Sequence, residues 1–414
     1  LLTDENFKYG DKVELIKQKF GKETTEEAIS EINYLIVNDM LYTEDVNPQN
    51  KIKTAVKAMC LNMTHDCNLR CEYCFASQGS YNGKRSFLSF ETGKRAFDFL
   101  VKNSGTRRNL EVDFFGGEPL MNFETIKKLV SYGRSLEKEY KKHFRFTTTT
   151  NGVLLDDEKI DYLNENMANV VLSIDGRKSV NDRMRRTVNG KGSYDIIVDN
   201  LRNFVSKRMD KDYFARGTFT SYNLDFSQDV KHMRELGFDK ISVEPVVAKT
   251  DEKFALKEEH VDILKKEYEK LAEYFIKSYN NKNKRFQFFH FNIELDRGPC
   301  IYKRSTGCGA GTEYVAVTPS GELYPCHQFV GYEEFIIGNV DEGITNQAIA
   351  DKFKNVSVND KPACRDCWAK YFCSGGCHAN AYNFNKDFSI PYNVGCELEK
   401  KRIECSIYIK GKLG

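Results

Sequence analysis

Long apolar runs, tryptophan and proline are scarce in this sequence, which has one Trp and eight Pro in 414 residues. No apolar stretch reaches the length of about 20 residues that a transmembrane helix needs. Residues 1–6 also lack the basic-then-apolar order of a signal peptide. The 62 Lys and Arg nearly balance the 60 Asp and Glu, so no net charge favours nucleic acid or an anionic membrane. The sequence therefore predicts a cytoplasmic protein with neither of these partners.

Cysteine is absent between Cys74 and Cys300, although the chain has 13 cysteines in total. In a cytoplasmic chain of this length, so many cysteines indicate metal or redox chemistry rather than a disulfide framework. The gap separates two cysteine-bearing modules. The length is also too great for one small domain.

Short β-rich runs alternate with amphipathic helical patterns across the middle of the chain, as expected of βα units on a parallel sheet. Six strands are predicted, at residues 55–63, 110–115, 144–149, 169–174, 215–220 and 240–245. The fold class is therefore α/β, with functional residues expected at the carboxyl ends of the strands. The domains are predicted at 1–50, 51–290 and 291–414.

The first cysteine group is Cys67, Cys71 and Cys74, in a CxxxCxxC that follows the first predicted strand. Three thiolates in one loop can hold three irons of a 4Fe-4S cluster and leave the fourth iron open. Structural zinc is the alternative, but zinc usually takes four ligands in paired groups. With Tyr73 as the aromatic residue, the pattern resembles the signature of the radical S-adenosylmethionine (SAM) enzymes. The resemblance implies a partial (β/α)6 barrel, with SAM at the open iron.

The second predicted strand runs into residues 116–119, Gly-Gly-Glu-Pro. A glycine pair lets the backbone come close to a ligand, although a turn whose proline opens a helix is an alternative explanation. In the radical SAM family this element contacts the methionine amino group of SAM, and Ser173 and Arg185 match positions near its carboxylate. Asp175 lies nearby. The resemblance thus implies a SAM site of Tyr73, Gly116, Gly117, Glu118, Ser173 and Arg185.

The second cysteine group, with Gly321, has the spacing of the SPASM domain, an auxiliary-cluster module, and the chain resembles that family here. A zinc ribbon is the alternative. The resemblance implies one cluster on Cys364, Cys367, Cys373 and Cys396, and another on Cys308, Cys326 and Cys377. The fourth ligand of the latter would be Cys300 or a cysteine of the substrate. The implied cofactors are SAM and three 4Fe-4S clusters.

His327 directly follows Cys326. In protein-oxidising relatives such as the anaerobic sulfatase-maturating enzymes, an aspartate thought to act as a base holds this position. An imidazole titrates near neutrality, so His327 is a candidate catalytic base for a substrate thiol. A structural histidine is the alternative.

Residues 7–20 and 25–41 are predicted to form two helices, the second with Thr24 or Thr25 as N-cap. Before a SPASM enzyme, such a pair resembles a small winged-helix-like segment that recognises a precursor peptide. It would bind the leader of the peptide by strand addition or groove docking. Its strands would lie before Leu1 or near residues 39–45.

The whole chain is most similar to the SPASM radical SAM maturases that build thioether bridges in cysteine-rich ribosomal peptides, in particular the SCIFF-peptide maturases. The resemblance implies that a hydrogen atom leaves an acceptor carbon of the peptide and that a cysteine sulfur joins this carbon. The surplus electron leaves through the auxiliary clusters, and flavodoxin or ferredoxin is the expected electron donor. Alternatives are formylglycine formation on a sulfatase-like protein, peptide epimerisation or carbon-carbon crosslinking, and a zinc-stabilised peptide-binding adaptor without catalysis.

Overall fold

A computed structural model describes residues 9–41, 55–249, 251–281 and 284–414. The chain divides into two compact units, Leu1–Asn50 and Lys51–Gly414. In the first unit, α1 (Tyr9–Phe20) precedes α2 (Lys22–Val37). The second helix begins after Gly21, so the predicted N-cap is wrong: the Thr25 hydroxyl donates to the Gly21 carbonyl at 2.7 Å. The strands predicted near residues 39–45 fall mostly outside the described residues.

The second unit contains an 11-stranded sheet and a two-stranded ribbon. Its strands are β1 (Ala58–Thr64), β2 (Leu69–Cys71), β3 (Asn109–Gly116), β4 (His143–Thr150), β5 (Asn169–Ser173), β6 (Arg185–Thr187), β7 (Asp212–Phe219), β8 (Lys240–Pro245), β9 (Gln287–Phe288), β10 (Tyr314–Val317), β11 (Glu322–Tyr324), β12 (Gly338–Asn339) and β13 (Gly343–Ile344). Its helices are α3 (Phe90–Asn103), α4 (Phe123–Tyr140), α5 (Asp157–Asn166), α6 (Lys178–Met184), α7 (Tyr194–Arg208), α8 (Phe226–Glu235), α9 (Val261–Tyr279), α10 (Ile301–Arg304), α11 (Gln347–Lys354), α12 (Pro362–Arg365), α13 (Lys370–Cys373), α14 (His378–Asn385) and α15 (Asn393–Leu413).

The six predicted strands are β1, β3, β4, β5, β7 and β8, which are hydrogen-bonded in this order and are all parallel. Side chains alternate along each strand, so in β3 Leu110, Val112 and Phe114 are fully buried under the helices. The intervening residues of these strands face the opposite side, where the cavity described below lies. The predicted α/β fold with a parallel sheet is confirmed.

The C-terminal cysteine-rich region is built onto the same sheet. Its first strand, β10, pairs in parallel with β1, with Ala316 opposite Cys60, and β11, β12 and β13 follow antiparallel. The last helix, α15, packs on α9, where the Arg402 guanidinium donates to the Tyr268 hydroxyl at 2.9 Å. Hydrogen bonds and packing therefore join the two predicted modules into one body. None of the helices in the described ranges is long and apolar enough to cross a membrane.

Candidate active site

The first cysteine group lies beyond the carboxyl end of β1, in residues 65–74, which we call the cluster loop. This loop contains β2, which pairs with β6. In this ribbon Cys71 pairs with Arg185. Burial, with a smaller contribution from the neighbouring thiols, raises the pKa of Cys67 to about 12 and that of Cys71 to about 11. All three thiols are half-buried and line one cavity. Their soft sulfur donors suit an iron-sulfur cluster.

The glycine pair that follows β3 packs directly against this loop. The Gly117 amide donates to the Thr64 carbonyl, and the next amide, that of Glu118, donates to the Asp66 carbonyl, both at 3.0 Å. A Cβ atom on Gly117 would lie 1.9 Å from the Asp66 carbonyl oxygen, and one on Gly116 would lie 2.4 Å from that of Thr64. Both positions therefore need glycine because the cluster loop comes so close. They also line the cavity, so contact with SAM stays a prediction.

The Glu118 carboxyl group is buried and joins the ends of β3 and β4. It accepts hydrogen bonds from the Asn151 amide at 2.8 Å, the Thr150 hydroxyl at 2.8 Å and the Leu120 amide at 3.1 Å. Burial raises its pKa to about 7, although these donors lower it. The Asn151 side chain in turn donates to Asn68 in the cluster loop at 2.7 Å. No sequence pattern indicated that Glu118 would link these two strand ends.

Tyr73 and Arg185 meet in a buried polar cluster at the wall of the cavity. The Tyr73 hydroxyl donates to the Asp175 carboxylate at 2.7 Å, and the Arg185 guanidinium donates to the Tyr73 oxygen at 3.0 Å. Burial raises the pKa of Asp175 to about 6. The buried Nε of Arg185 has no hydrogen-bond partner within the described residues. A donor of this kind, with Ser173 lining the same cavity, fits an anionic group such as the carboxylate of SAM.

His327 lies in the same cavity as the three cysteines. Its Nδ1 is 2.7 Å from the Tyr314 hydroxyl oxygen, and its ring packs against Phe75 and Phe115 with centroids 5.6 and 5.1 Å away. Burial lowers its pKa to about 4, with the positive charge of Arg216 as the second cause. The expectation that this imidazole titrates near neutrality is therefore wrong. The lowered pKa favours the neutral imidazole.

Two charged residues of the cavity were missed by reasoning from the sequence. Arg216 of β7 lies 3.9 Å from Glu244 of β8, and the other carboxylate oxygen of Glu244 lies 2.9 Å from Nε2 of His290. Both Arg216 and Glu244 line the cavity, whose volume is about 610 Å³. That volume is typical of ligand sites. The sequence could have indicated Arg216 and Glu244 only by their positions on the cavity face of two predicted strands.

The C-terminal cysteines form two groups in the fold. Cys308 and Cys377 raise the pKa of Cys326, while Cys396 interacts with Cys364 and Cys367 and raises the pKa of Cys373. The groups thus contain Cys308, Cys326 and Cys377 on one side and Cys364, Cys367, Cys373 and Cys396 on the other. Cys300 is exposed, at the start of α10. Across the described ranges, no three Cys, His, Asp or Glu side chains have the geometry for a single metal ion. In a cluster each cysteine binds a different iron, so the sulfurs are farther apart than the ligands of one ion.

Comparison with known families gives two matches. Residues 61–224 match the Radical SAM superfamily, and residues 308–368 match SPASM, an iron-sulfur cluster-binding domain. The chain contains a Radical SAM domain and a C-terminal SPASM domain. The radical SAM match begins in β1 and includes the three cysteines and the glycine pair. A non-catalytic zinc adaptor is therefore not supported.

Curated relatives of the enzyme span much of its length. The cysteine-type anaerobic sulfatase-maturating enzyme of Clostridium novyi is 25% identical, over 83% of this chain and 92% of that protein. The radical SAM cyclopropyl synthase TigE of Paramaledivibacter caminithermalis is also 25% identical, over 79% of this chain and 69% of TigE.

A solved structure shares the fold. Native anSMEcpe with bound AdoMet and Cp18Cys peptide superposes with a TM-score of 0.70 at 18% identity, over 86% of this chain and 98% of that one. This likeness supports the fold, and the sequence matches support the family.

Proposed function

We propose that the enzyme oxidises a cysteine-rich ribosomal peptide and forms thioether crosslinks between cysteine sulfur and carbon. The observation that carries the proposal is the shared cavity: Cys67, Cys71 and Cys74 line one part of it, and His327, next to Cys326, lines another. A peptide residue held there would lie between the site where a hydrogen atom is removed and the cysteine group that would hold an electron-accepting auxiliary cluster.

The cofactors supply the radical chemistry: when bound and reduced, the cluster and SAM provide a carbon radical that removes a hydrogen atom from the substrate. The chain positions them. Gly116 and Gly117 allow the cluster loop to lie against β3, and Arg185 and Ser173 offer donors for the methionine carboxylate. We propose three 4Fe-4S clusters, one on the loop and two on the C-terminal groups.

His327 is proposed to take the proton of the substrate thiol. The tautomer with its proton on Nδ1 donates to the Tyr314 oxygen and leaves Nε2 unprotonated. Phe75 and Phe115 shield the imidazole from water. Burial disfavours the imidazolium, so proton uptake by His327 would need a nearby negative charge, such as that of a bound auxiliary cluster or of the substrate thiolate.

Formylglycine formation is the second candidate. The similarity to a cysteine-type anaerobic sulfatase-maturating enzyme over most of both chains favours it. His327 stands where such enzymes have an aspartate, and this difference favours the thioether reaction. Residues 1–50 are proposed to bind the leader of the precursor peptide, and flavodoxin or ferredoxin to supply electrons.

The test is anaerobic incubation of the reconstituted holoenzyme with SAM, a strong reductant and the cysteine-rich peptide encoded nearest to it. Mass spectrometry after thiol alkylation separates the products. Loss of two hydrogens for each cysteine that resists alkylation supports a thioether. Loss of two hydrogens with every thiol still alkylated indicates a carbon-carbon crosslink, and replacement of sulfur by a carbonyl oxygen indicates formylglycine. An unchanged mass with cleaved SAM contradicts the thioether proposal for this peptide and directs the search to epimerisation or another substrate.

A further inference from the structure

Lys361 is a completely buried lysine in the SPASM domain, with 0% of its surface exposed. It immediately precedes α12, which carries Cys364. Its ammonium group donates to the Gly375 carbonyl at 2.7 Å. Gly375 lies between Cys373 and Cys377, which belong to different cysteine groups. The ammonium is therefore inside the protein, where the two groups meet.

The charged groups that raise the pKa of Lys361 are all cysteines: Cys364, Cys373, Cys396 and Cys377, in order of decreasing effect. The first three belong to one group and the last to the other. Burial lowers the pKa of Lys361 and outweighs them. No carboxylate forms an ion pair with Lys361 in the part of the chain that the structure describes. A buried ammonium without a counter-charge is costly, so such groups are normally paired.

Lys400 shows the usual arrangement. It also interacts with cysteines of one group, but it is partly exposed and forms an ion pair with Glu397 at 3.0 Å. Among the residues that the structure describes, the hydrogen-bond partner of the Lys361 ammonium is the neutral Gly375 carbonyl. The missing negative charge at Lys361 is what iron-sulfur clusters with thiolate ligands would supply.

We propose that Lys361 is the internal cation of the SPASM domain, which compensates the negative charge of the two auxiliary clusters and raises their reduction potentials. The proposal rests on the auxiliary clusters of the proposed function. A cluster becomes more negative when it accepts an electron, and a fixed positive charge nearby stabilises the reduced form more than the oxidised form. Lys361 thus acts through the reduction potentials of the auxiliary clusters, and higher potentials favour passage of the surplus electron from the peptide into these clusters.

The test compares Lys361→Met and Lys361→Gln with Lys361→Arg, and uses the exposed Lys352→Met as a control. Each reconstituted holoenzyme is titrated against potential, with the clusters followed by electron paramagnetic resonance and iron measured in parallel. We expect a more negative midpoint potential for at least one auxiliary cluster in the Met and Gln variants. The Arg and control variants should keep wild-type potentials, because they leave the charge at position 361 in place.

The alternative is a purely structural hydrogen bond to Gly375, which Gln can also donate. In that case the cluster-free form of Lys361→Met, and of no other variant, would be less thermally stable than the wild type. The reduction potentials of all variants would then be unchanged, which would overturn the proposal. If the Met and Gln variants fold but lose their auxiliary clusters while Lys361→Arg keeps them, charge compensation is supported. Loss in all three variants overturns it. If the wild-type protein binds iron for one cluster only, the proposal that it holds auxiliary clusters is wrong. If it binds iron for all three clusters but the variants keep wild-type potentials, only the proposed role of Lys361 is wrong.

Discussion

Cys71 of β2 pairs with Arg185 of β6 in the two-stranded ribbon beside the cavity. The two residues are far apart in the chain, yet this pairing brings a buried guanidinium next to the proposed cluster loop. The same guanidinium donates to the Tyr73 oxygen at 3.0 Å, and its Nε remains without a partner in the described residues. The cluster loop and the proposed carboxylate site for SAM are thus held by one structural element.

Arg185→Met should weaken SAM binding, because a charged donor at the cavity wall is lost. A hydrogen bond between charged groups contributes about 2 kcal/mol, which corresponds to a roughly 30-fold higher Kd. Isothermal titration calorimetry of SAM binding to the reconstituted protein measures this Kd. The neighbouring Arg186 is exposed, so Arg186→Met should bind SAM like the wild type. Equal affinities in both variants would contradict the assigned role.

Gly117→Ala should disrupt the cluster loop, because the added Cβ would lie 1.9 Å from the Asp66 carbonyl oxygen. Backbone must move to relieve this contact, at a cost of about 2 kcal/mol in the free energy of unfolding. We expect a lower midpoint in denaturant unfolding and less iron after reconstitution. Gly411→Ala is the matched control, since nothing lies within 4 Å of its added Cβ. Normal iron content in Gly117→Ala would show that the close approach is not required.

Combined replacement of Cys67, Cys71 and Cys74 by alanine should abolish SAM cleavage. These thiols are the proposed ligands of the cluster that reduces SAM. Chromatography of 5′-deoxyadenosine and methionine provides the measurement. Cys405→Ala is the control, because this buried thiol belongs to none of the three cysteine groups. Wild-type cleavage by the triple variant would refute the assignment.

Cys377→Ala should keep SAM cleavage but stop crosslink formation. Cys377 belongs to the group that contains Cys326, next to His327, and this group is proposed to hold a cluster that would take up the surplus electron. Cleavage depends on the separate loop at residues 67–74. Both activities can be measured in one reaction, by chromatography for SAM products and mass spectrometry for the peptide. Unchanged peptide product would rule out an essential auxiliary role for this cysteine.

The sequence by itself determined the two cysteine motifs and the six parallel strands at the centre of the sheet. Cysteine spacing is a local property, so Cys67, Cys71 and Cys74 and the seven SPASM cysteines could be recognised without coordinates. The six parallel strands could be predicted because alternation of apolar residues and the βα pattern are also local. Helix ends were less certain, and α2 begins before the expected Thr cap.

Only the tertiary structure decided which distant residues meet. The glycine pair faces the backbone of the cluster loop, Cys71 lies opposite Arg185, and β10 extends the sheet beside β1. Burial also shifts the pKa values of residues that the sequence alone would leave at ordinary values: it lowers the pKa of His327 to about 4 and lowers that of Lys361. Such effects depend on desolvation and on contacts between segments far apart in the chain, which no short sequence pattern records.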